Sequence, residues 1–221
     1  MCPSCGGIKF RKVYILKVHA YVLMVLTKNE KKLLAFLWKN FRERLSINEL
    51  SKQVNVTPKG AYKILKKFEE EDLVVKEKVA NAAIYTLNFK NKAAEDIVKY
   101  VLKSQQAPNS YIKVLEKELE SLQGLTKAMI VFGSVLTKGL KANDIDLLVV
   151  IEKKKFSELR KEVKEFEKVS PQKIHLVVQT EQDMKKNLSK EDAVVHKALK
   201  TGYILHGHNI LYKLIKNDAS R

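Results

Sequence analysis

The chain has 221 residues, 45% hydrophobic and 30% charged, with a formal net charge of +17. That length predicts one or two domains, each long enough to bury a core, and the composition is that of a soluble globular protein. Two cysteines exclude a disulfide framework and suit a reduced, cytoplasmic setting. The charge is unevenly spread: residues 1–107 hold 21 Lys and Arg against 10 Asp and Glu, and the remainder 21 against 15. A basic excess in the first half points to a polyanionic partner there, most simply nucleic acid.

Residues 1–27 read as an N-terminal extension. Cys2-Pro3-Ser4-Cys5-Gly6 is half of a zinc ribbon, but a structural zinc site needs four ligands. No second cysteine pair exists and His19 adds only one donor, so a reduced pair is expected. Residues 13–26 are apolar but interrupted by Lys17 and His19, too short and mixed to span a bilayer. No small-residue cleavage site follows them, and an extra element packed on the first domain is expected. Met24 reads as an alternative start, since the helical pattern downstream is complete without what precedes it.

From Lys28 helix signals come in close succession. Leu33, Leu34, Phe36, Leu37 and Phe41 form an apolar stripe. Ser46-Ile47-Asn48-Glu49 is a capping box for a short helix ending near Val54, with Leu50 and Val54 inward. After a tight turn at Asn55-Val56, Thr57 caps a third helix with Pro58 at its first position, where the missing N–H costs nothing. Ala61, Ile64, Leu65 and Phe68 face the core, leaving Lys59, Gly60, Lys63, Lys66 and Lys67 outward. Val74–Lys78 and Ala83–Leu87 read as two strands about a turn at Asn81. Residues 28–90 thus resemble the winged helix-turn-helix regulators of prokaryotes. That resemblance implies a third helix in the major groove, with Thr57, Lys59, Gly60 and Lys63 at the bases. Lys52, Lys66, Lys76 and Lys78 would meet phosphates, and the acidic run Glu69–Asp72 would lie away from DNA. Such regulators are commonly homodimers.

Residues 91–107 predict a linking helix, with Ala93, Ile97, Tyr100 and Val101 on one face, running into a polar boundary at Ser104–Ser110. A helix from Ser110 to Leu122 then leads to a strand over Lys127–Phe132. Here the chemistry concentrates. The strand ends in Gly133-Ser134, suited to a tight strand-to-helix turn whose N–H groups hold phosphate. Nine residues later Asp144-Ile145-Asp146 opens a second apolar strand. Carboxylates at i and i+2 share one strand face, and a hard divalent cation is the usual way to neutralise such a pair.

Gly-Ser, a spacer of this length and Asp-x-Asp resemble the DNA polymerase β-like nucleotidyltransferases, nearest their minimal prokaryotic branch, over about residues 108–216 of a domain assigned to 108–221. The resemblance implies that Gly133 and Ser134 bind the phosphates of a nucleoside triphosphate. Asp144 and Asp146 would be catalytic and hold Mg²⁺, two ions if the site is active, for transfer of a nucleotidyl group to a hydroxyl. Lys138 and Lys141 would add charge near the triphosphate. The fold class implied is α+β: a winged helix followed by a mixed sheet flanked by helices.

One position departs from the pattern. Active members carry a third carboxylate on a later strand, and here that strand (Lys173–Val178) presents His175. Imidazole is a poor Mg²⁺ ligand. Glu152 is on the same face as Asp146 but six residues on, about 20 Å at ~3.3 Å per residue, too far to share the metal. Helices are expected over Lys155–Lys168, Glu181–Asn187 and Lys190–Thr201, followed by a turn with His206 and His208. Nucleotide binding is better supported than efficient transfer. The alternatives are a catalytically silent nucleotide sensor governing the DNA-binding half, or an antitoxin-like partner of a toxin-like protein.

Overall fold

A computed structural model describes residues 26–219. The cysteine pair, His19, Met24 and all but Leu26 of the apolar stretch lie outside the described residues. The chain divides into two compact units after Val101, and no helix among the described residues is long and apolar enough to cross a membrane.

In the first unit, α1 (Lys28–Lys39), α2 (Ile47–Val54) and α3 (Pro58–Glu70) precede an antiparallel hairpin of β1 (Val74–Val79) and β2 (Ala82–Leu87). Each helix begins where a side chain supplies the acceptor that its first N–H groups lack. Thr27 and Ser46 form reciprocal capping boxes with Glu30 and Glu49, and Thr57 caps α3 ahead of Pro58. Asn55 takes the left-handed conformation between α2 and α3 (φ 55°), a geometry that asparagine tolerates well. A single antiparallel bridge also pairs Ser46 with Ile84 of the wing.

Leu33, Leu34, Leu37, Trp38, Leu50, Leu65, Phe68 and Tyr85 fill the core of this unit. Trp38 belongs to the buried stripe of α1, while Phe36 and Phe41 are only half-buried. Lys67 was expected outward but turns in, its Nζ donating to Glu30 Oε1 at 2.7 Å. Burial opposes ionisation of Glu30, yet Lys67 and the Thr27 bonds outweigh it and hold the carboxyl below its usual range. One carboxylate therefore both caps α1 and ties it to α3.

The linking helix, α4 (Lys92–Lys103), buries Ile97 and Val101 of the expected face but leaves Tyr100 out. Ala94, Ile97, Val98 and Val101 are buried, while Tyr100 is 52% exposed with Lys31 Nζ 5.2 Å from its ring. The aromatic's polar end and the cation account for its outward placement.

The second unit is built on a mixed sheet in the order β5-β4-β3-β6. β3 (Thr126–Phe132) and β4 (Asp144–Ile151) are antiparallel, β4 and β5 (Lys173–Gln179) parallel, and β6 (Tyr203–His206) antiparallel to β3. α5 (Ser110–Glu118) ends four residues earlier than its apolar pattern suggests, because the chain tightens into a 3₁₀ turn over Glu120–Gly124. Ile112, Leu115 and Leu119 from that region, with Leu159 and Val163 of α7 (Phe156–Val169), pack on Ile145, Leu147, Val149 and Ile151 of β4. α8 (Glu181–Ser189), α9 (Ala193–Thr201) and α10 (His208–Ala219) contact β3 and β4 with the buried side chains Met184, Val195, Leu199 and Leu211. α9 begins at Ala193 rather than Lys190, because Asp192 accepts from the N–H groups of Val194 and Val195.

The expected terminal turn is instead strand β6, which runs through Gly207 into α10. Gly207 has φ 84°, and a Cβ there would fall 2.3 Å from the Lys127 carbonyl oxygen, so only glycine fits. His206 Nε2 lies 2.6 Å from Thr126 Oγ1. Burial lowers the pKa of His206, and burial, Lys103 and His206 together push that of His208 from 6.5 to about 4.

Because the unfolded chain binds that proton more tightly than the folded one, the stability contributed by neutral His208 is complete above about pH 6.5. It is lost as the pH falls from there towards 4. Thermal denaturation is expected to show a melting temperature that declines over this window. Replacing His208 by Asn, which keeps a donor but does not titrate, should flatten the decline; an unchanged slope contradicts the assignment.

Candidate functional site

The geometry of the site follows from the β3–β4 connection. Antiparallel pairing sets Phe132, the last residue of β3, opposite Asp146, so Gly133 and Ser134 emerge beside the first residues of β4. Ser134 precedes the short helix α6 (Val135–Lys138), and its carbonyl accepts from the N–H groups of Thr137 and Lys138. Gly133 has φ 80°, and a Cβ on it would stand 2.0 Å from Asp146 Oδ2. Backbone conformation and the carboxylate's position therefore demand glycine independently.

Asp144 and Asp146 share one face at the mouth of β4. Asp144 is exposed, and the Asp146 side chain retains 19% exposure. Parallel pairing with β5 brings Lys173 opposite Asp144 and His175 opposite Asp146. His175 Nδ1 lies 2.9 Å from Asp146 Oδ1, with the His175 side chain 69% exposed. A neutral imidazole donating through Nδ1 keeps Nε2 as an acceptor facing solvent. Thus Gly133, Asp146 and His175 are brought into contact, with Asp144 two residues away on the same strand face. Among the described residues no three His, Cys, Asp or Glu side chains group as a metal cage. Glu152 lies past the far end of β4, where Lys154 (3.1 Å) and Lys127 (3.6 Å) engage it.

Two further residues hold this corner, and both have carbonyls as partners. Asn109 caps α5 by accepting from the Ile112 N–H, while its Nδ2 donates at 3.0 Å to the carbonyls of Val135 and Leu136 in α6. Buried Gln172 donates to the carbonyls of Leu140 (3.2 Å) and Ala142 (2.5 Å), pinning the turn that returns the chain to Asp144. An asparagine just before a helix is a legible cap, but nothing in the pattern signals its second set of partners. Lys138 and Lys141 are exposed on that connection.

In the first unit, Thr57, Lys59, Gly60, Lys63 and Lys66 lie on or just before α3, and the four with side chains beyond Cα are exposed. Thr57 Oγ1 accepts from the Gly60 N–H at 3.1 Å, so part of its polarity shapes the helix start. Lys52 is exposed on α2. Strand alternation places Lys76 and Lys78 on one face of β1 and Glu77 on the other, where Arg44 pairs with Glu77. Lys76 Nζ sits 5.9 Å from the Tyr85 ring. Lys59, Lys63, Lys66 and Lys78 form no ion pair within the described residues.

Comparison with known families agrees with both units. Residues 112–200 match the nucleotidyltransferase domain family and residues 26–75 the winged helix-turn-helix DNA-binding family. The chain therefore joins a winged helix-turn-helix domain to a nucleotidyltransferase domain, in a mixed α and β architecture. Among solved structures it is similar to MepR, a transcription regulator of the Staphylococcus aureus multidrug efflux pump MepA. That match has 17% identity, covers 54% of this chain and 100% of MepR, and has a TM-score of 0.33. A MarR family protein of Mycobacterium tuberculosis matches at 25% identity, over 52% of this chain and 88% of that one, with a TM-score of 0.28. No curated protein matches the chain.

Gly133→Ala tests the close approach. The substitution is expected to displace Asp146 and to lower stability by about 1–3 kcal/mol from backbone strain alone. Chemical denaturation against the parent reads it, and a stability within ~0.5 kcal/mol of the parent would show that the corner tolerates a side chain.

Proposed function

We propose that this protein binds duplex DNA through α3 and the β1–β2 wing, and a magnesium–nucleoside triphosphate through the corner of Gly133, Ser134, Asp144 and Asp146. The observation that carries the nucleotide reading is the Gly133–Asp146 approach. A strand end followed by an obligatory glycine, a turn offering N–H groups and two carboxylates on one strand face meet at a single point. Ser134, with Lys138 and Lys141 on the following turn, would hold the triphosphate. The donor set suits one Mg²⁺: Asp144 and Asp146 offer oxygens, whereas His175 offers nitrogen where a second ion would need a third carboxylate. When bound, the ion would offset triphosphate charge and draw electron density from the phosphorus.

The reaction of such a domain is attack of a hydroxyl on the α-phosphorus with loss of pyrophosphate. A second reading, a nucleotide sensor without turnover, is favoured by the His175–Asp146 hydrogen bond, which engages one carboxylate oxygen before any metal arrives.

Titrating the full-length protein with ATP, with and without Mg²⁺, is expected to show saturable, Mg²⁺-dependent binding that Asp144→Asn/Asp146→Asn weakens by roughly tenfold or more. Absence of binding sinks the reading. With labelled triphosphate and hydroxyl acceptors, transfer that His175→Asp increases would assign catalysis and identify the missing carboxylate as the deficit. Binding without transfer in either protein would leave the sensor.

For DNA, the free lysines of α3 support contact with phosphates and base edges in the major groove. Duplex binding is expected to weaken steeply as salt rises, and Lys66→Ala/Lys78→Ala, at two positions assigned to phosphates, should reduce the slope of log K against log salt by about 1–2. No binding at low salt, or an affinity indifferent to salt, contradicts this assignment.

A further inference from the structure

A second recess in the nucleotidyltransferase domain lies between α5, α7 and the turn at Leu140, and neither Asp144 nor Asp146 lines it. It is an open cleft of about 400 Å³, within the size range of small-molecule sites. Its walls combine two features that seldom coincide on a basic protein. Tyr111 and Phe166 supply aromatic surface, and the rim carries Leu140 at 61% and Val169 at 85% exposure. These are the two most exposed large hydrophobic side chains among the described residues, and both border one cleft. Scattered apolar residues on a surface need no explanation, but such concentration at a concavity marks a contact surface.

The second feature is charge. Glu118, Glu162 and Glu165 line the cleft, and no lysine, arginine or histidine does, in a chain with 42 Lys and Arg against 25 Asp and Glu. Glu165 is engaged by Lys168 at 2.7 Å, whereas no ion pair within the described residues engages Glu118 or Glu162. Burial and the negative charge of Glu118 both raise the pKa of Tyr111, which keeps the phenol neutral.

We propose that this cleft binds a small organic cation carrying apolar surface, with Glu118 and Glu162 facing its charge and Tyr111 and Phe166 its body. A carboxylate attracts the cation at long range, and an aromatic face adds attraction at contact. An inorganic cation would leave the apolar walls wet, and an anion would meet only like charge. A neutral apolar ligand would forgo the charge that sets this cleft apart from the rest of the molecule.

The test uses the full-length protein and benzyltrimethylammonium as the probe, read by calorimetry and by the methyl NMR signals of Leu140 and Val169. Saturable binding is expected, with shifts at those methyls, no binding of benzenesulfonate, and affinity reduced roughly tenfold by Glu118→Gln/Glu162→Gln. Both glutamates lie at the surface, so the variant should fold, which its thermal melt checks. Asp144→Asn/Asp146→Asn should leave the affinity unchanged, separating this site from the nucleotide corner. Lack of saturable binding at millimolar probe, equal affinity in the glutamine variant, or shifts confined to other methyls would overturn the proposal.

Discussion

The candidate site depends on a missing side chain. Gly133 allows the end of β3 to approach Asp146 to a distance at which a Cβ would overlap the carboxylate. Every other feature of the corner is arranged about that approach. Antiparallel pairing sets the height of Gly133 against β4, and the buried odd-numbered residues of β4 hold Asp144 and Asp146 on the opposite face. A slip by one residue would turn Asp144 and Asp146 onto the packed face that Ile145, Leu147, Val149 and Ile151 now fill. Register is therefore enforced by burial, and carboxylate position by register.

The connection between the two halves of the motif is held differently. Ten residues, 134–143, separate Gly133 from Asp144, and they contribute few apolar anchors beyond Val135 and Ala142. Asn109 and Gln172 supply the constraint instead, each donating to two carbonyls of that segment. Loops of this kind expose backbone groups that must find partners when buried. The chain meets that need with side chains from the start of α5 and the start of β5, so the turn is tied to rigid elements on both sides.

Much of this was legible in the sequence because local chemistry and burial agree. The capping residues Ser46 and Thr57, the Gly-Ser step and the Asp-Ile-Asp strand stand where their patterns put them. Apart from the ends of α5 and α9, which a local turn and a local cap decide, the misreadings turn on contacts remote in sequence. Lys67 points inward because Glu30 is there. β6 is a strand because β3 presents an edge to it. Tyr100 stays exposed while its neighbours are buried. Asn109 and Gln172 escaped notice because their partners are carbonyls, which carry no residue identity. The carboxylates proposed for the site were easier to notice, since carboxylates inside an apolar strand are anomalous whatever surrounds them.

Asp146 is where the open mechanistic choice becomes physical. One of its oxygens faces His175 and the other faces Gly133. A cation shared with Asp144 must use the oxygens that these neighbours leave accessible, or displace the imidazole. With carboxylate in the third place, the like charges of three acids would repel one another and a pair of Mg²⁺ ions would relieve the repulsion. With imidazole there, the hydrogen bond already satisfies part of Asp146 and the demand for a second ion falls. Under the proposed function, an imidazole at this strand position would weaken the electrostatic drive for two-metal binding and leave Asp144 and Asp146 as the oxygen donors for a single ion. Such a site would favour holding nucleotide over turning it over.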